Sequence, residues 1–131
     1  RADIGVWRTS NTTFYSLKSS SGVLETSAFS QSSTEAVSGD YDGDGKADYA
    51  IRNSANWIIR SSSTGTFQTI AWQQSGDKAV QNDYDGDGKV DIATWRDANG
   101  TWYIRNSSTG QLRQQQWGTS GDIPVPAFYR R

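Results

Sequence analysis

The sequence predicts an all-β protein made of three similar repeats, each containing four short strands. Self-similarity is the first observation: Gly22, Gly65 and Gly110 bring three copies of one unit into register. Periodicity is the second: short runs alternate apolar with polar residues, turns rich in Gly, Ser and Thr separate them, and no stretch has helical periodicity. Four short strands every 43 residues or so are typical of the blades of a β-propeller.

Large aromatic residues recur at fixed distances from the three glycines. They lie eight residues before and seven residues after each one, at Phe14, Trp57 and Trp102 and at Phe29, Trp72 and Trp117. Because residues that recur in every repeat usually pack between adjacent sheets, we expect these six in the core. The register divides the chain into repeats of about 1–46, 47–89 and 90–131, and the length predicts a single domain, 1–131.

Each repeat is expected to contain its strands in the same order. The first strands alternate apolar and polar residues at 2–8, 47–52 and 90–96. The second strands contain the recurring aromatic residue at 14–18, 57–60 and 102–105. A Ser/Thr-Gly turn leads to the third strands at 24–29, 66–72 and 111–117. A Gly-Asp turn then leads to short runs at 78–81 and 123–127, whereas the equivalent turn of the first repeat, near 33–35, has diverged.

A nine-residue acidic stretch occurs twice, reading DYDGDGKAD from Asp40 to Asp48 and DYDGDGKVD from Asp83 to Asp91. Carboxylates occupy positions 1, 3, 5 and 9, and glycines occupy positions 4 and 6. Four acidic side chains this close repel one another unless a cation lies between them. Calcium accepts six to eight oxygen ligands in flexible geometry, and loops of the pattern D-x-D-x-D-G supply them. The stretch therefore predicts a calcium loop.

We predict two Ca²⁺ ions per chain, one in each loop. The ligands of the first ion are the side chains of Asp40, Asp42, Asp44 and Asp48 and the backbone carbonyl of Lys46. The ligands of the second are the side chains of Asp83, Asp85, Asp87 and Asp91 and the backbone carbonyl of Lys89. The third repeat has no such loop, because Phe128 and Arg130 stand at the first two ligand positions.

The loop DYDGDGKVDIA, together with GTWYI, SSTG and GDIPVP, resembles the FG-GAP/VCBS-type calcium-binding β-propeller repeats of integrin α-subunit heads and of several bacterial and fungal lectins. The resemblance covers nearly the whole chain. It implies four-stranded blades in which the calcium loop joins the innermost strand to the second strand. It also implies a secreted or cell-surface protein. The family includes adhesion proteins, lectins and appendages of secreted enzymes, so the fold alone does not define the function.

Three blades are fewer than the four to eight that usually close a propeller. The first blade lacks an innermost strand, and the run 123–127 is an innermost strand without a blade. We expect this run to complete the first blade of another subunit, giving a six-bladed homodimer or an open fibre. The expected junction contains Phe128, Tyr129, Arg130, Arg131 and the incoming Arg1. A β-trefoil, which also has three repeats of four strands, is the alternative fold.

An arginine near the end of the first strand recurs in all three repeats. The pairs Trp7-Arg8 and Trp95-Arg96 match each other, and Ile51-Arg52 is taken as their counterpart. We expect this arginine either to stack on a neighbouring aromatic ring or to pair with a loop carboxylate.

Composition narrows the function. The chain has no Cys, Met or His, which excludes Cys or His nucleophiles and thiolate zinc sites. Two bound Ca²⁺ would change the net charge from −1 to about +3, which is not typical of nucleic-acid binding. No apolar run is long enough for membrane insertion. We expect a non-catalytic extracellular module that self-assembles for adhesion or for a surface or filament structure. The alternative is a lectin that binds glycans between blades.

Overall fold

The computed structural model describes residues 2–126, which form eleven strands in three separate antiparallel sheets. Within this part of the chain no helix forms, and so none is long and apolar enough to span a membrane. None of the three sheets closes on itself. The all-β prediction is therefore confirmed, and the closed barrel that a β-trefoil requires is not formed by the described strands.

The sheets follow one another along the chain. Sheet I has the order β1-β2-β3, with β1 at Ile4–Arg8, β2 at Thr13–Leu17 and β3 at Leu24–Ala28. Sheet II has the order β4-β5-β6-β7, with strands at Glu35–Ala36, Tyr49–Asn53, Asn56–Arg60 and Phe67–Ala71. Sheet III has the order β8-β9-β10-β11, with strands at Lys78–Ala79, Ile92–Arg96, Thr101–Arg105 and Leu112–Gln116.

The predicted strand order is confirmed, with ends that shift by one or two residues at most positions. Each acidic loop connects a two-residue first strand, β4 or β8, to the second strand of the same sheet. Among the described residues, sheet I has three strands and no counterpart of β4 and β8, as expected. Residues 123–126 of the last predicted strand form no strand in this structure. Residue 127, Arg1 and the expected junction residues 128–131 lie outside the described residues.

Among residues 2–126 the core consists of three apolar clusters, two of which lie between neighbouring sheets. Because strand residues alternate between faces, sheet II is buried on both sides. Ile51 and Ile58 pack with Phe14 and Phe29 of sheet I. Residues on the other face pack with Ile92 of sheet III, namely Val37, Ala50, Trp57 and Ile59. The third cluster covers the far face of sheet III with Val80, Ala93, Trp95 and Ile104.

Five of the six recurring aromatic residues contribute to this core. Phe14, Phe29 and Trp57 are buried, and Trp72 and Trp102 are half-buried. Phe14 stacks on Tyr49 with ring centroids 4.8 Å apart, which joins sheet I to sheet II. The indole N–H of Trp72 donates to the backbone oxygen of Tyr103 at 3.1 Å, which joins sheet II to sheet III. Trp117 is the exception: it is 77% exposed, so the prediction that it is buried is wrong.

The match of Ile51-Arg52 to the other Trp-Arg pairs is wrong by one residue. In sheets I and III, Trp7 and Trp95 lie opposite the first aromatic residue of the next strand, and in sheet II Arg52 lies opposite Trp57. Arg52 therefore occupies the tryptophan position, and Asn53 occupies the arginine position. The hairpin between β5 and β6 has two residues, whereas the equivalent hairpins have four, so spacing along the sequence misaligns these strands.

Arg52 and Arg96 hold the turn 74–77, between β7 and β8, through hydrogen bonds. The buried Arg52 guanidinium donates to the backbone oxygens of Asp77 at 2.6 Å and of Gln74 at 2.8 Å. Arg96 binds the buried Asp77 carboxylate through two bonds of 2.9 and 3.0 Å, and its guanidinium lies 4.3 Å above the Tyr103 ring. The hydrogen bond to Asp77 raises the pKa of Arg96. The expected ring stacking is confirmed. The carboxylate that binds Arg96 is that of Asp77, which lies in the connection between sheets II and III and not in an acidic loop.

Gly100 is a position where only glycine fits. Its φ is +63°, and a Cβ there would lie 2.2 Å from the backbone oxygen of Gly118. We expect Gly100→Ala to lower the free energy of unfolding by about 1–3 kcal/mol, because both strain and a backbone clash result. Gly76, where a Cβ meets nothing within 4 Å, is the matched control, and Gly76→Ala should stay within about 0.5 kcal/mol. Urea denaturation measures both, and equal stability of the two variants would contradict this prediction.

Candidate metal centre

Both acidic loops are held in the same conformation by the sheet. A single antiparallel bridge closes each loop, between Gly39 and Asp48 in the first and between Asn82 and Asp91 in the second. The glycine at position 6 has φ of +86° in the first loop and +87° in the second, which other residues rarely adopt. The chain can therefore turn sharply enough to direct successive carboxylates toward one centre.

Three carboxylates converge in each loop. Oxygens of Asp40, Asp42 and Asp48 all lie within 4.8 Å of one another. The second loop brings together the corresponding residues Asp83, Asp85 and Asp91 in the same way. The last aspartate of each set is completely buried, whereas the others are half-buried or exposed. Each set thus has one anchored carboxylate and two that reach toward solvent.

Backbone amides from two segments hold the buried aspartate. Oδ2 of Asp48 accepts from the N–H of Tyr41 at 2.7 Å and of Asp42 at 3.1 Å, and Oδ1 accepts from the N–H of Ser62 at 2.7 Å. Asp91 accepts the equivalent bonds from Tyr84 at 2.7 Å, Asp85 at 3.2 Å and Ser107 at 2.7 Å. The acidic loop and the turn after β6 or β10 are therefore joined through one carboxylate.

The first aspartate of each loop organises the loop backbone. Oδ1 of Asp40 accepts from the N–H of Gly43 at 2.8 Å, and Oδ2 accepts from the N–H of Gly45 at 2.9 Å. Asp83 accepts the same bonds from Gly86 at 2.8 Å and Gly88 at 3.0 Å. An ionised carboxylate has about four lone-pair sites, so these bonds leave acceptor capacity for an ion.

Serine donors to the loops are a feature that sequence reasoning missed. Asp42 accepts from the hydroxyls of Ser61 at 2.6 Å and Ser63 at 2.8 Å, and Asp44 accepts from Ser62 at 2.7 Å. In the second loop, Asp85 accepts from Ser108 at 2.8 Å and Asp87 from Ser107 at 2.7 Å. The signal was the Ser-Ser-Thr-Gly sequence at 62–65 and 107–110, in the turns that follow β6 and β10 of the two sheets with an acidic loop.

Hydrogen bonding keeps the middle aspartates ionised. The hydroxyl of Ser61 holds the pKa of Asp42 well below its usual range, against the opposing effect of burial and with further help from Ser63. Burial raises the pKa of Asp85, but hydrogen bonds from Ser108 and from the N–H of Asp87 more than offset this and lower it. These carboxylates therefore retain negative charge near neutral pH.

A tyrosine follows the first aspartate in each loop and stays neutral. Burial, and then the negative charge of Asp91, raises the pKa of Tyr84 to about 12. Burial and the charge of Asp48 likewise raise the pKa of Tyr41. Both phenols donate to a buried backbone oxygen, that of Val37 or Val80. The tyrosines therefore support the loops from the core side and add no charge to the carboxylate sets.

The atoms available as metal ligands suit a hard divalent cation. All of them are oxygens, and the ionised carboxylates lie close enough for each pair to repel by about 1–4 kcal/mol at effective dielectric constants of 80 to 20. Calcium accepts such ligands in flexible number. The 4.8 Å sets do not include Asp44 or Asp87, so their role as ligands stays a prediction, as do the carbonyls of Lys46 and Lys89.

The two loops contact each other across the junction between sheets II and III. The N–H of Val90 donates to the backbone oxygen of Asp40 at 2.8 Å. The aliphatic stem of Lys89 lies over Gly43, where a Cβ would be only 3.1 Å from Cγ of the lysine. Movement of one loop is thereby resisted by the other.

Sheet I retains one member of the acidic pattern, which sequence reasoning also missed. Asp3 precedes β1 as Asp48 precedes β5, and it accepts from the N–H of Ser19 at 2.8 Å as Asp48 does from Ser62. That hydrogen bond from Ser19 is the main cause that lowers the pKa of Asp3. Its charge partner is Lys18, 3.4 Å away. An ammonium group thus supplies the positive charge at this position.

Comparison of the chain with known protein families, with curated protein sequences and with solved structures finds no match. The residues therefore define the class of protein by themselves. It is an all-β protein of three small antiparallel sheets, and two of its sheets carry a buried aspartate cluster that could hold a metal ion.

The buried aspartate should matter to the fold even without an ion. Both oxygens of Asp48 face backbone N–H donors, so the amide of Asp48→Asn must direct an N–H at another donor. We expect this variant to lose about 2 kcal/mol of unfolding free energy in excess chelator. Asp44→Asn is the matched control, because Asp44 is exposed and can keep its bond to Ser62, and it should lose under about 0.5 kcal/mol. Equal losses in chelator would contradict a structural role of Asp48.

Proposed function

We propose that the protein is a non-catalytic, extracellular calcium-binding module of β-propeller blades that self-assembles through an open blade edge. It would serve adhesion or a surface or filament structure. The observation that carries the proposal is the repetition, in two sheets, of one loop geometry with a buried aspartate and two further convergent carboxylates. Metal sites repeated at the same place in successive sheets favour a structural ion over a single reaction centre.

The arrangement of the sheets supports the propeller assignment. Strand order in sheets II and III runs from a two-residue inner strand outward, and the inner strand is supplied by the connection from the preceding sheet. Adjacent sheets pack face to face through aromatic and aliphatic side chains. The acidic loop joins the inner strand to the second strand, which is its place in FG-GAP/VCBS-type repeats.

Calcium chemistry supports the extracellular location. Loops of this kind in extracellular modules often bind calcium with dissociation constants of about 10⁻⁴–10⁻³ M. Such sites fill in millimolar calcium outside cells and stay empty at cytosolic concentrations. The non-catalytic assignment is supported by the hydrogen bonds that occupy the clustered carboxylates and by the absence of Cys and His from the sequence.

Calcium should bind at two sites and stabilise the fold. An ion that binds only the folded chain adds about 2.7 kcal/mol per site at a hundredfold excess over Kd, so the melting temperature should rise in calcium and fall in chelator. Calorimetric titration should give two ions per chain. Asp85→Ala should leave one ion and a smaller thermal shift. Glu25→Ala, which changes an exposed carboxylate outside the loops, should still bind two. An identical melting curve in calcium and in chelator would contradict the metal assignment.

A lectin is the second candidate, and one cavity favours it. A cavity of about 320 Å³ lies on sheet III between Trp95, Trp102 and Trp117, beside the carboxylate of Asp122. Trp95 is buried, but the exposed ring of Trp117 and the half-buried ring of Trp102, next to a carboxylate, suit the apolar and hydroxyl faces of a sugar. A glycan array with the wild-type protein and with Trp117→Ala, each in calcium and in chelator, tests this candidate. Binding of a defined sugar that Trp117→Ala removes would favour the lectin.

A further inference from the structure

We propose that segment 117–125 of one chain docks on the open edge of β1 in a second copy of this chain. The register would be the one that segment 72–80 uses on β9 within a single chain. This inference rests on the self-assembly in the proposed function and names its interface. An interface formed inside the chain has the same two halves as two exposed surfaces of the molecule.

The internal template has three anchors between segment 72–80 and sheet III. The indole N–H of Trp72 donates to the backbone oxygen of Tyr103 at 3.1 Å. The carboxylate of Asp77 binds Arg96 through two hydrogen bonds of 2.9 and 3.0 Å. The N–H of Val80 donates to the backbone oxygen of Ala93 at 2.9 Å, in continuation of the β8–β9 ladder. An indole, a carboxylate and a short strand thus define the contact.

The same three anchors recur 45 residues later, as Trp117, Asp122 and Val125. The turn before the strand is already formed. Oδ2 of Asp122 accepts from the N–H of Thr119 at 2.9 Å, as Oδ2 of Asp77 accepts from Gln74 at 3.3 Å. Yet Trp117 and Val125 are each 77% exposed, whereas Val80 is 2% exposed. The turn 119–122 thus has the geometry of the turn 74–77. The segment contacts sheet III, where the indole N–H groups of Trp95 and Trp102 donate to the backbone oxygen of Trp117, but no strand among the described residues pairs with residues 123–125.

Sheet I carries the receiving half of the template. Pairing of β1 with β2 and of β9 with β10 places Gly5, Arg8 and Tyr15 where sheet III has Ala93, Arg96 and Tyr103. Arg8 lies 4.4 Å above the Tyr15 ring, much as Arg96 lies over Tyr103. Among residues 2–126, Arg8 forms no ion pair with a carboxylate. The arginine is therefore oriented like Arg96 but lacks the counterpart of Asp77.

Apolar exposure on β1 agrees with a missing neighbour. Ile4 and Val6 are 72% and 55% exposed, although the equivalent residues of sheet III are buried, Ile92 against sheet II and Thr94 beside Asp77 of the connecting turn. The outer edge of β1 has no paired strand among the described residues. An exposed, apolar strand edge is a site for pairing with another chain. The charges are complementary as well, because Asp122 would meet Arg8.

The two prolines of the chain limit the segment to one pairing edge. Since the N–H of Val80 points to β9, the N–H groups of the alternate positions, 79 and 81, point away from it. Pro124 and Pro126 stand at the positions equivalent to 79 and 81. They remove only the N–H groups that face away from the receiving strand. Ile123 and Val125 keep theirs, so the segment can add to one strand and cannot extend the sheet further.

The register predicts specific contacts between two copies. Asp122 would bind Arg8, the indole of Trp117 would donate to the backbone oxygen of Tyr15, and the N–H of Val125 would donate to that of Gly5. Val6 would lie opposite Pro124, as Thr94 lies opposite Ala79 inside one chain. Two chains can close a ring in this way, or successive chains can form a fibre. Both products use the same interface.

Charge reversal tests the Arg8–Asp122 pair. Light scattering and sedimentation in millimolar calcium should show association that increases with concentration. Arg8→Glu and Asp122→Arg should each weaken it by about tenfold or more, and the double variant should recover most of the loss. Arg113→Glu, an equal change at an exposed residue of β11, should leave association unchanged. Calcium stoichiometry and circular dichroism confirm that each variant is folded.

A disulfide tests the register itself. The chain has no cysteine, so an engineered pair reports only its own geometry. Val6 and Pro124 should form a non-hydrogen-bonded pair with Cα atoms about 4.5 Å apart, within reach of a disulfide. Val6→Cys with Pro124→Cys should therefore cross-link chains on mild oxidation. Val6→Cys with Arg113→Cys should not.

The outcomes separate this interface from the general proposal. A single-chain mass at every concentration in calcium overturns self-assembly itself, and with it this interface. If both charge-reversal variants associate as the wild type does and no disulfide forms between positions 6 and 124, self-assembly is supported but this interface is overturned. Binding of a defined sugar that requires Trp117, with no association of chains, would assign the face to the lectin alternative and also overturn the interface.

Discussion

One buried carboxylate in each of sheets II and III holds the surrounding structure together. Asp48 and Asp91 are fully buried, and each accepts backbone hydrogen bonds from the start of its own acidic loop and from the turn that follows β6 or β10. An ionised group in this position is stable only when its oxygens are satisfied. The acidic loop and the turn after β6 or β10 are consequently held together by one side chain, so displacing either of them would break hydrogen bonds to the other.

The same carboxylates make the loops dependent on positive charge. Each set brings three acidic groups within 4.8 Å, and serine hydroxyls together with backbone amides keep Asp42 and Asp85 ionised. A divalent cation between them would convert repulsion into attraction. In sheet I the corresponding carboxylate is the single residue Asp3, and the ammonium group of Lys18 supplies the positive charge beside it. Because the two loops also contact each other, a cation in one would steady the junction between sheets II and III.

Much of the fold could be predicted from the sequence, because its signals are local. Alternating residues, turn glycines and the acidic motif lie within a few residues of one another, so strand order and the converging aspartates followed directly. One error came from a local difference in hairpin length, and one omission came from contacts between distant segments. The two-residue hairpin between β5 and β6 shifted Arg52 into a tryptophan position. The serines of the turns reach the loops only after the sheet has formed.

The sequence by itself determined the three repeats, their strands, the two acidic loops and the lack of an acidic loop in the third repeat, since each depends only on the spacing of residues along the chain. Only the tertiary structure decided which recurring residues are buried. Trp72 and Trp117 occupy equivalent positions, yet one packs on a following sheet and the other is exposed, because burial depends on whether a neighbouring sheet is present. It likewise decided that Asp77 pairs with Arg96 and that, among the described residues, the matching Asp122 and Arg8 form no ion pair within one chain. The repeated sequence determines the strands of each sheet, and the contacts between neighbouring sheets determine which residues are buried.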